Sequence, residues 1–299
     1  MPGSVSAAYQ GSVIIPAHNE EAVIARCLAA ITGTPGDSAV LPPLEIVVVC
    51  NGCSDATAAV ASRFTNVKVI EIPEASKVAA LNSGDGAAST FPRIYLDADS
   101  VLSAQSARSL LKNAAAQPDP AIFSAKVTFD LAGCSVIARS FARCAQRTSF
   151  GELGIVGRGL YTLNAPGRAR FGKFPELVGD DFFVASLFDP HEQVIDPHAT
   201  VVVRPPGSLR SLVGVRSRVY YGNAEAGLER SRNVAPSQGW RNIAYAARRT
   251  RSPGQLFDLA VYVGVNLRAK RGAAKMARSG LSHEWARDET SRISRSAEF

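Results

Sequence analysis

Four short stretches hold residues whose types and spacing could do chemistry. Cys50-Asn51-Gly52-Cys53 is a C-x-x-C pair directly behind the apolar run LEIVVV. Asp97-Ala98-Asp99 closes the run RIYL, and Pro16-Ala17-His18-Asn19-Glu20-Glu21 follows SVII. Asp180-Asp181 stands between Gly179 and the apolar FFVASL. A C-x-x-C pair suits a redox dithiol or half of a zinc site. Two carboxylates flanking a small residue repel each other and persist most easily beside a divalent cation and a phosphate ligand. Adjacent aspartates at the start of a helix suit either capping or general-base work.

The cysteines fit neither redox nor zinc chemistry well. Val49 precedes the pair, where a thioredoxin-type site has an aromatic, and the turn-forming Asn51-Gly52 lies inside it. No second C-x-x-C or His-x-His pair completes a zinc site. Both cysteines read as small packing residues at a corner. Asn19 reads as the N-cap of the next helix, and Ser54 or Asp55 as the cap of the one after it.

These residues must be positioned by the elements around them. SVIIP (12–16), LEIVVVC (44–50), VKVIEI (67–72) and RIYLDA (93–98) read as strands. NEEAVIARCLAAI, SDATAAVASRF and ASKVAALNSGDGAA read as the helices between them. Continuous apolar strands imply burial on both faces, as in a parallel sheet covered by helices. Ligands of such sheets bind beyond the carboxyl ends of the strands, where the chemistry-bearing residues fall. Farther on, LAGCSVIARSFARCAQRTSF reads as a helix, GRGLYTLN and TVVVRPP as strands, and residues 208–299 as mainly helical.

Composition is that of an ordinary globular chain, with 46% hydrophobic and 20% charged residues among 299. Charge is uneven: residues 204–299 hold 18 of the 33 Lys/Arg and 7 of the 26 Asp/Glu, a local net of +11 against −4 for the rest. A basic end on an acidic body suits a phosphate-rich surface or a solvated helical tail. Nucleic acid is disfavoured, because the basic region lacks interleaved aromatics. The start, MPGSVSAAYQ, has no basic and apolar leader pattern, and LFDLAVYVGVNL is short and contains Asp258, so a cytoplasmic protein is expected. A dinucleotide-dependent oxidoreductase is disfavoured because PAHNEE contains no glycine fingerprint.

Taken together, SVIIPAHNEE, VVVCNGCSDAT, KVAALNSGDGAA, YLDADS, GRGLYTLN and LVGDDFFVASL resemble, in order and spacing, the family 2 glycosyltransferases, inverting enzymes of GT-A fold. The resemblance covers residues 11–203, with a weaker echo in GVRSRVYYGN. It implies an α/β fold with a Rossmann-like, mostly parallel central sheet flanked by helices. The catalytic domain would span 1–207, with a nucleotide-binding half at 11–130 and an acceptor half at 131–207. A basic, mainly helical extension would occupy 208–299. The implied function is metal-dependent, inverting transfer of a sugar from a nucleoside-diphosphate sugar to an acceptor hydroxyl, in polysaccharide, glycolipid or natural-product glycoside synthesis. The alternative is a non-catalytic nucleotide-sugar or polyanion-binding module on the same fold.

By the resemblance, Pro16, Ala17, His18 and Glu20 line the nucleoside pocket, and Lys77 and Asn82 lie near the nucleotide. Asn51 stands where the family has a base-reading aspartate, which leaves UDP, GDP and dTDP donors open. Asp97, with Ala98, contacts the ribose or the metal, and Asp99 coordinates Mn²⁺ or Mg²⁺ on the diphosphate; His198 is a candidate third ligand. Asp181 is the general base, with Asp180 in place of the family's glutamate. The segment Gly157–Tyr161 helps form the acceptor site. Arg216 or Arg218 would add positive charge from a closing loop. The acceptor would be a saccharide, a lipid-linked molecule or a small molecule, and a homodimer is a further expected partner. In GQLFDLAVYVGVNLRAKRGAAKMARSG, an apolar half-helix precedes Arg268, Lys270, Arg271, Lys275 and Arg278. That pattern suits peripheral contact with an anionic inner membrane face. A helix packed on the catalytic domain, basic side outward, explains the same residues with fewer assumptions.

Overall fold

The computed structural model describes residues 10–33, 42–148, 154–176, 179–225 and 239–279. The strands are β1 (Ser12–Ala17), β2 (Glu45–Asn51), β3 (Val67–Ile72), β4 (Arg93–Leu96), β5 (Val101–Leu102), β6 (Ile122–Phe129), β7 (Leu160–Leu163) and β8 (Gln193–Val203). The helices are α1 (Ile24–Thr32), α2 (Thr57–Ala61), α3 (Lys77–Ala87), α4 (Ala104–Ala116), α5 (Val136–Gln146), α6 (Ala165–Arg168), α7 (Asp180–Ser186), α8 (Leu209–Glu225), α9 (Gly239–Arg248) and α10 (Pro253–Ser279).

The chain forms two compact units that interleave in sequence. Among the described residues, the first draws on those within 1–128, 157–176 and 191–203, and the second on those within 129–156, 177–190 and 204–299. This grouping crosses the boundary expected at residue 207, because α5 and α7 belong with the C-terminal helices.

The first unit is built on one sheet of order β3-β2-β1-β4-β7-β6-β8-β5. β3, β2, β1 and β4 run parallel, whereas β7 runs antiparallel to both β4 and β6. β1 and β4 are buried along their whole length, Ser12 and Arg93 included. β3 has exposed Lys68 and Glu71 because it forms the sheet edge. Ile15, Val48, Ile94, Leu28 and Leu110 share the core beneath the sheet's helices α1 and α4. On the other face, α3 lies close to β1 and β2: a Cβ on Gly84 would stand 2.5 Å from Ile14 Cγ2.

The second unit is helical. α10 packs against α8 and α5, with Phe141, Cys144, Leu212, Ala246, Tyr262 and Val265 at the centre. Asp258 is buried there and accepts from Arg143 at 2.7 Å and from Arg147 at 3.2 Å, both on α5. Among the described residues, no helix is long and apolar enough to cross a membrane.

Candidate functional site

Parallel register brings three strand ends to one edge. Ala17 pairs with Cys50, and Ile14 with Tyr95, so Pro16–Ala17, Asn51 and Asp97 all lie at the carboxyl ends of neighbouring strands. β2 and β4 flank β1, about 10 Å apart at ordinary strand spacing. This is the edge at which parallel sheets bind ligands.

The corner after β1 is cross-braced to the corner after β2. Asn19 adopts a left-handed conformation (φ 51°), and its Oδ1 accepts from Ser54 N at 2.6 Å. Glu20 N donates to Thr57 Oγ1 at 2.7 Å, and His18 Nδ1 donates to the Asn51 carbonyl. Cys53 Sγ donates to the Ala17 carbonyl at 3.4 Å and accepts from Asn19 N at 3.3 Å. Asn19 is therefore not the N-cap of α1, which begins at Ile24 after Val23 without a side-chain cap. Neither Ser54 nor Asp55 is the N-cap of α2, which is Ala56 without a side-chain cap, although Asp55 Oδ1 accepts from Thr57 N at 3.0 Å.

The C-x-x-C pair is thus a structural joint. All five cysteines are free thiols. Burial, with Cys53 and Glu71 nearby, pushes the Cys50 thiol up to about 12, which suppresses the thiolate that redox or metal chemistry needs. The Gly52 inside the pair is required twice. Its φ is +58°, and a Cβ would lie 2.8–2.9 Å from Ala75 Cβ, Cα and N. Gly52→Ala is therefore expected to destabilise the protein by about 2 kcal/mol or more, read as a lower denaturant midpoint. An unchanged midpoint would show that this corner does not close on Ala75.

Asn51 stands out within the corner. Its side chain is 1% exposed, and neither Oδ1 nor Nδ2 has a hydrogen-bond partner. Leaving a buried amide unpaired costs about 1–3 kcal/mol, so such a group calls for a ligand or another partner. An amide both donates and accepts, which matches the mixed edge of a nucleobase.

Across the edge, Asp97 Oδ1 accepts from Lys77 Nζ at 2.8 Å, and Lys77 opens α3 behind the N-cap Ser76. The turn after β4 is backed by Gly159, whose carbonyl accepts from Asp97 N at 2.8 Å. Gly159 has φ +73°, and a Cβ there would strike Ser100 Oγ at 2.2 Å. Arg26 NH2 donates to the Asp99 carbonyl at 3.4 Å. Burial first, then the charges of Asp99, Asp97 and Glu20, hold the Cys27 thiol far above its usual range. All three carboxylates therefore act on one buried point on α1. Arg26 carried no signal in the sequence, where it reads as a helix-surface residue.

Several expected residues lie elsewhere or are already engaged. Asn82 uses its amide on the backbone of Phe174, donating to the carbonyl at 3.1 Å and accepting from the N–H at 2.8 Å, so it clamps a loop. His198 does not join Asp97 and Asp99. β5 pairs antiparallel with β8, Val101 opposite Val202, and His198 lies four residues further along β8 in the direction away from Asp99, about 13 Å of strand. Arg158 is turned inward, 5% exposed, with NH1 donating to the Ala125 carbonyl at 3.0 Å. Tyr161 stacks on Tyr95, so Gly157–Tyr161 supports the Asp97 turn from behind.

In the second unit, Asp180 and Asp181 form the first turn of α7 behind Gly179 (φ 99°). Asp180 is 9% exposed, Asp181 is half-buried, and Asp181 Oδ1 accepts from Phe182 N at 2.8 Å. Arg216 and Arg218 lie on α8 and not in a loop. Arg216 donates to Asn266 Oδ1 at 2.9 Å and to Tyr220 Oη at 3.1 Å, contacts internal to the helical unit.

Asp97 and Asp99 are the two carboxylates that the sequence nominates for a metal, and Asp97 is already paired with Lys77. Among the described residues, no group of three or more His, Cys, Asp or Glu could hold an ion. One or two carboxylate oxygens from this pair would suit Mg²⁺ or Mn²⁺ completed by phosphate and water.

Residues 12–133 match the family model described as Glycosyl transferase family 2. Among solved structures, the chain is similar to a mannosyltransferase from Pyrobaculum calidifontis in complex with GDP-Man and Mn²⁺. The two share 20% identity at a TM-score of 0.52, over 91% of this chain and 76% of that one. It is also similar to glucosyl-3-phosphoglycerate synthase from Mycobacterium tuberculosis in complex with phosphoglyceric acid. There the identity is 18% and the TM-score 0.52, over 72% of this chain and 79% of that one. Both likenesses show the GT-A fold. Comparison with curated proteins found no match.

Proposed function

We propose that this chain, a glycosyltransferase whose residues 12–133 are a family 2 segment, moves a sugar with inversion from a nucleoside-diphosphate sugar to an acceptor hydroxyl, with a divalent metal. One observation carries the donor reading: the buried, unpartnered Asn51 amide lies on the same strand edge as the Lys77–Asp97 pair. A base at Asn51 would pair its two orphaned atoms. Pro16, Ala17, His18 and Glu20 form the neighbouring wall. The GDP-Man and Mn²⁺ bound by the archaeal mannosyltransferase of the same fold support this choice of ligands.

In the reaction, Asp181 takes the proton of the acceptor hydroxyl as its oxygen attacks the anomeric carbon. The bond from that carbon to the diphosphate breaks, and the nucleoside diphosphate leaves with the electron pair. Lys77 and Arg26 place positive charge at the rim where the diphosphate departs. A Mn²⁺ or Mg²⁺ ion held by Asp99 and Asp97 would supply further neutralisation of the leaving group.

The test is thermal stability with UDP, GDP, dTDP, ADP and CDP, each with and without Mn²⁺. One nucleotide at ~100 times its dissociation constant should add about 2.7 kcal/mol. Mn²⁺ alone should add little, because the protein supplies too few ligands by itself. Asn51→Leu separates ligand binding from structure. It should leave the ligand-free melting temperature unchanged or raised, since it removes an unpaired amide, and it should lose the nucleotide shift. No shift from any nucleotide, or an Asn51→Leu variant that keeps the full shift, would refute this donor site.

A further inference from the structure

α10 presents two faces. The inner one carries Asp258, Tyr262, Val265, Asn266 and Ala269 into the helical unit. The outer one exposes Leu256 (60%), Phe257 (49%) and Leu267 (55%), with Ala260 and Gly264 completing the stripe. At 100° per residue these five fall on one side of the helix. The same side continues as Arg268, Arg271, Lys275 and Arg278, all exposed, and Arg248, Arg249 and Arg251 are exposed just ahead of the helix. Along the helix the stripe is therefore apolar toward its start and cationic toward its end, with further exposed arginines in the segment that leads into it. From 248 to 279 the chain has one acidic residue, Asp258, and that is buried against Arg143 and Arg147. Among the described residues, no exposed position of the helix itself carries a neutral polar side chain.

We propose that this outer face of α10 docks on an anionic lipid bilayer, with Leu256, Phe257 and Leu267 in the headgroup boundary and the flanking arginines and lysines on lipid phosphates. Packing against α5 and α8 does not compete with this role, because it uses the opposite face. A bilayer asks for apolar burial and diffuse negative charge without directional partners, which is what this face offers. A protein partner of ordinary kind would meet both donors and acceptors at the rim, whereas the described exposed positions of the helix carry apolar and cationic side chains and no acceptor. The helix lies on the surface and does not span it.

The test is cosedimentation of the full chain with vesicles of phosphatidylcholine alone and of phosphatidylcholine with 30% phosphatidylglycerol. The wild type should bind the anionic vesicles at least ~10-fold better and lose binding as salt is raised. Leu256→Ser/Phe257→Ser/Leu267→Ser should lose ~10-fold or more even at low salt, as should Arg268→Glu/Arg271→Glu/Lys275→Glu. All six positions are exposed, so both variants should keep the wild-type melting temperature. Equal binding to both vesicle types, or binding unaffected by either variant, would overturn the proposal. So would a wild-type dimer that the Ser variant dissociates while wild type ignores vesicles, since the face would then belong to a second copy.

Discussion

Asp181→Asn is expected to lower sugar transfer by at least 10²–10⁴-fold while leaving the nucleotide-induced rise in melting temperature intact. The substitution is close to isosteric and keeps an Oδ1 acceptor for the Phe182 N–H, so the first turn of α7 should hold. What it removes is a carboxylate that can take a proton. The proposed donor site does not use Asp181, so binding and turnover should separate cleanly. The measurement is transfer rate at saturating donor, alongside thermal stability with and without nucleotide. A variant that retained transfer within tenfold of wild type would move the base elsewhere, first to Asp180, which is more deeply buried. A variant that lost both transfer and the nucleotide shift would assign Asp181 to donor binding.

The sequence disclosed the strand ends because its signal there is strong. SVII, EIVVV and RIYL are short runs, apolar after their first residue and rich in β-branched or aromatic side chains, the pattern of a strand buried on both faces. The residues that follow such runs fall at the ligand edge whatever their partners are. The corners were legible in position but not in wiring. Asn19 has the right residue type for an N-cap, yet its positive φ turns it toward Ser54, and α1 starts five residues later. The short β5, the helix α4 and the strand β6 had no comparable signal. Ala104–Ala116 is rich in small and polar residues, and Ile122–Phe129 is buried in its first half and alternates in its second. Periodicity reports which face is buried and not what buries it. The Asn82 clamp on Phe174 joins residues 92 apart, and Arg216 looked like loop chemistry until its helix and Asn266 were seen.

Asp85→Ala should cause a large loss of stability, about 3–5 kcal/mol, because one carboxylate serves three buried partners. Asp85 Oδ1 accepts from Arg93 NH1 at 2.7 Å and from Tyr95 Oη, and Oδ2 accepts from Arg168 NH2 at 2.7 Å. The side chains of Asp85, Arg93 and Arg168 are 12%, 10% and 14% exposed. Burial alone would raise the Asp85 carboxyl, but hydrogen bonds from Arg168, Tyr95 and Arg93 outweigh it and hold it below the ordinary carboxylate range. A carboxyl depressed in the folded state stabilises the fold above its unfolded pKa, and that contribution fades as pH falls through the folded value. The wild type should therefore lead Asp85→Asn by the widest margin at neutral pH, with the gap narrowing as pH falls below about 4. Denaturant midpoints at pH 7 and pH 3 would show this, and a pH-independent gap would mean that the charge is not what holds the cluster. The consequence reaches the site. Asp85 ties α3, which begins with Lys77, to β4, which leads into Asp97, and through Arg168 to the loop that Asn82 clamps. Its removal should loosen the Lys77–Asp97 pair and reduce the nucleotide shift, although no atom of Asp85 need touch the nucleotide.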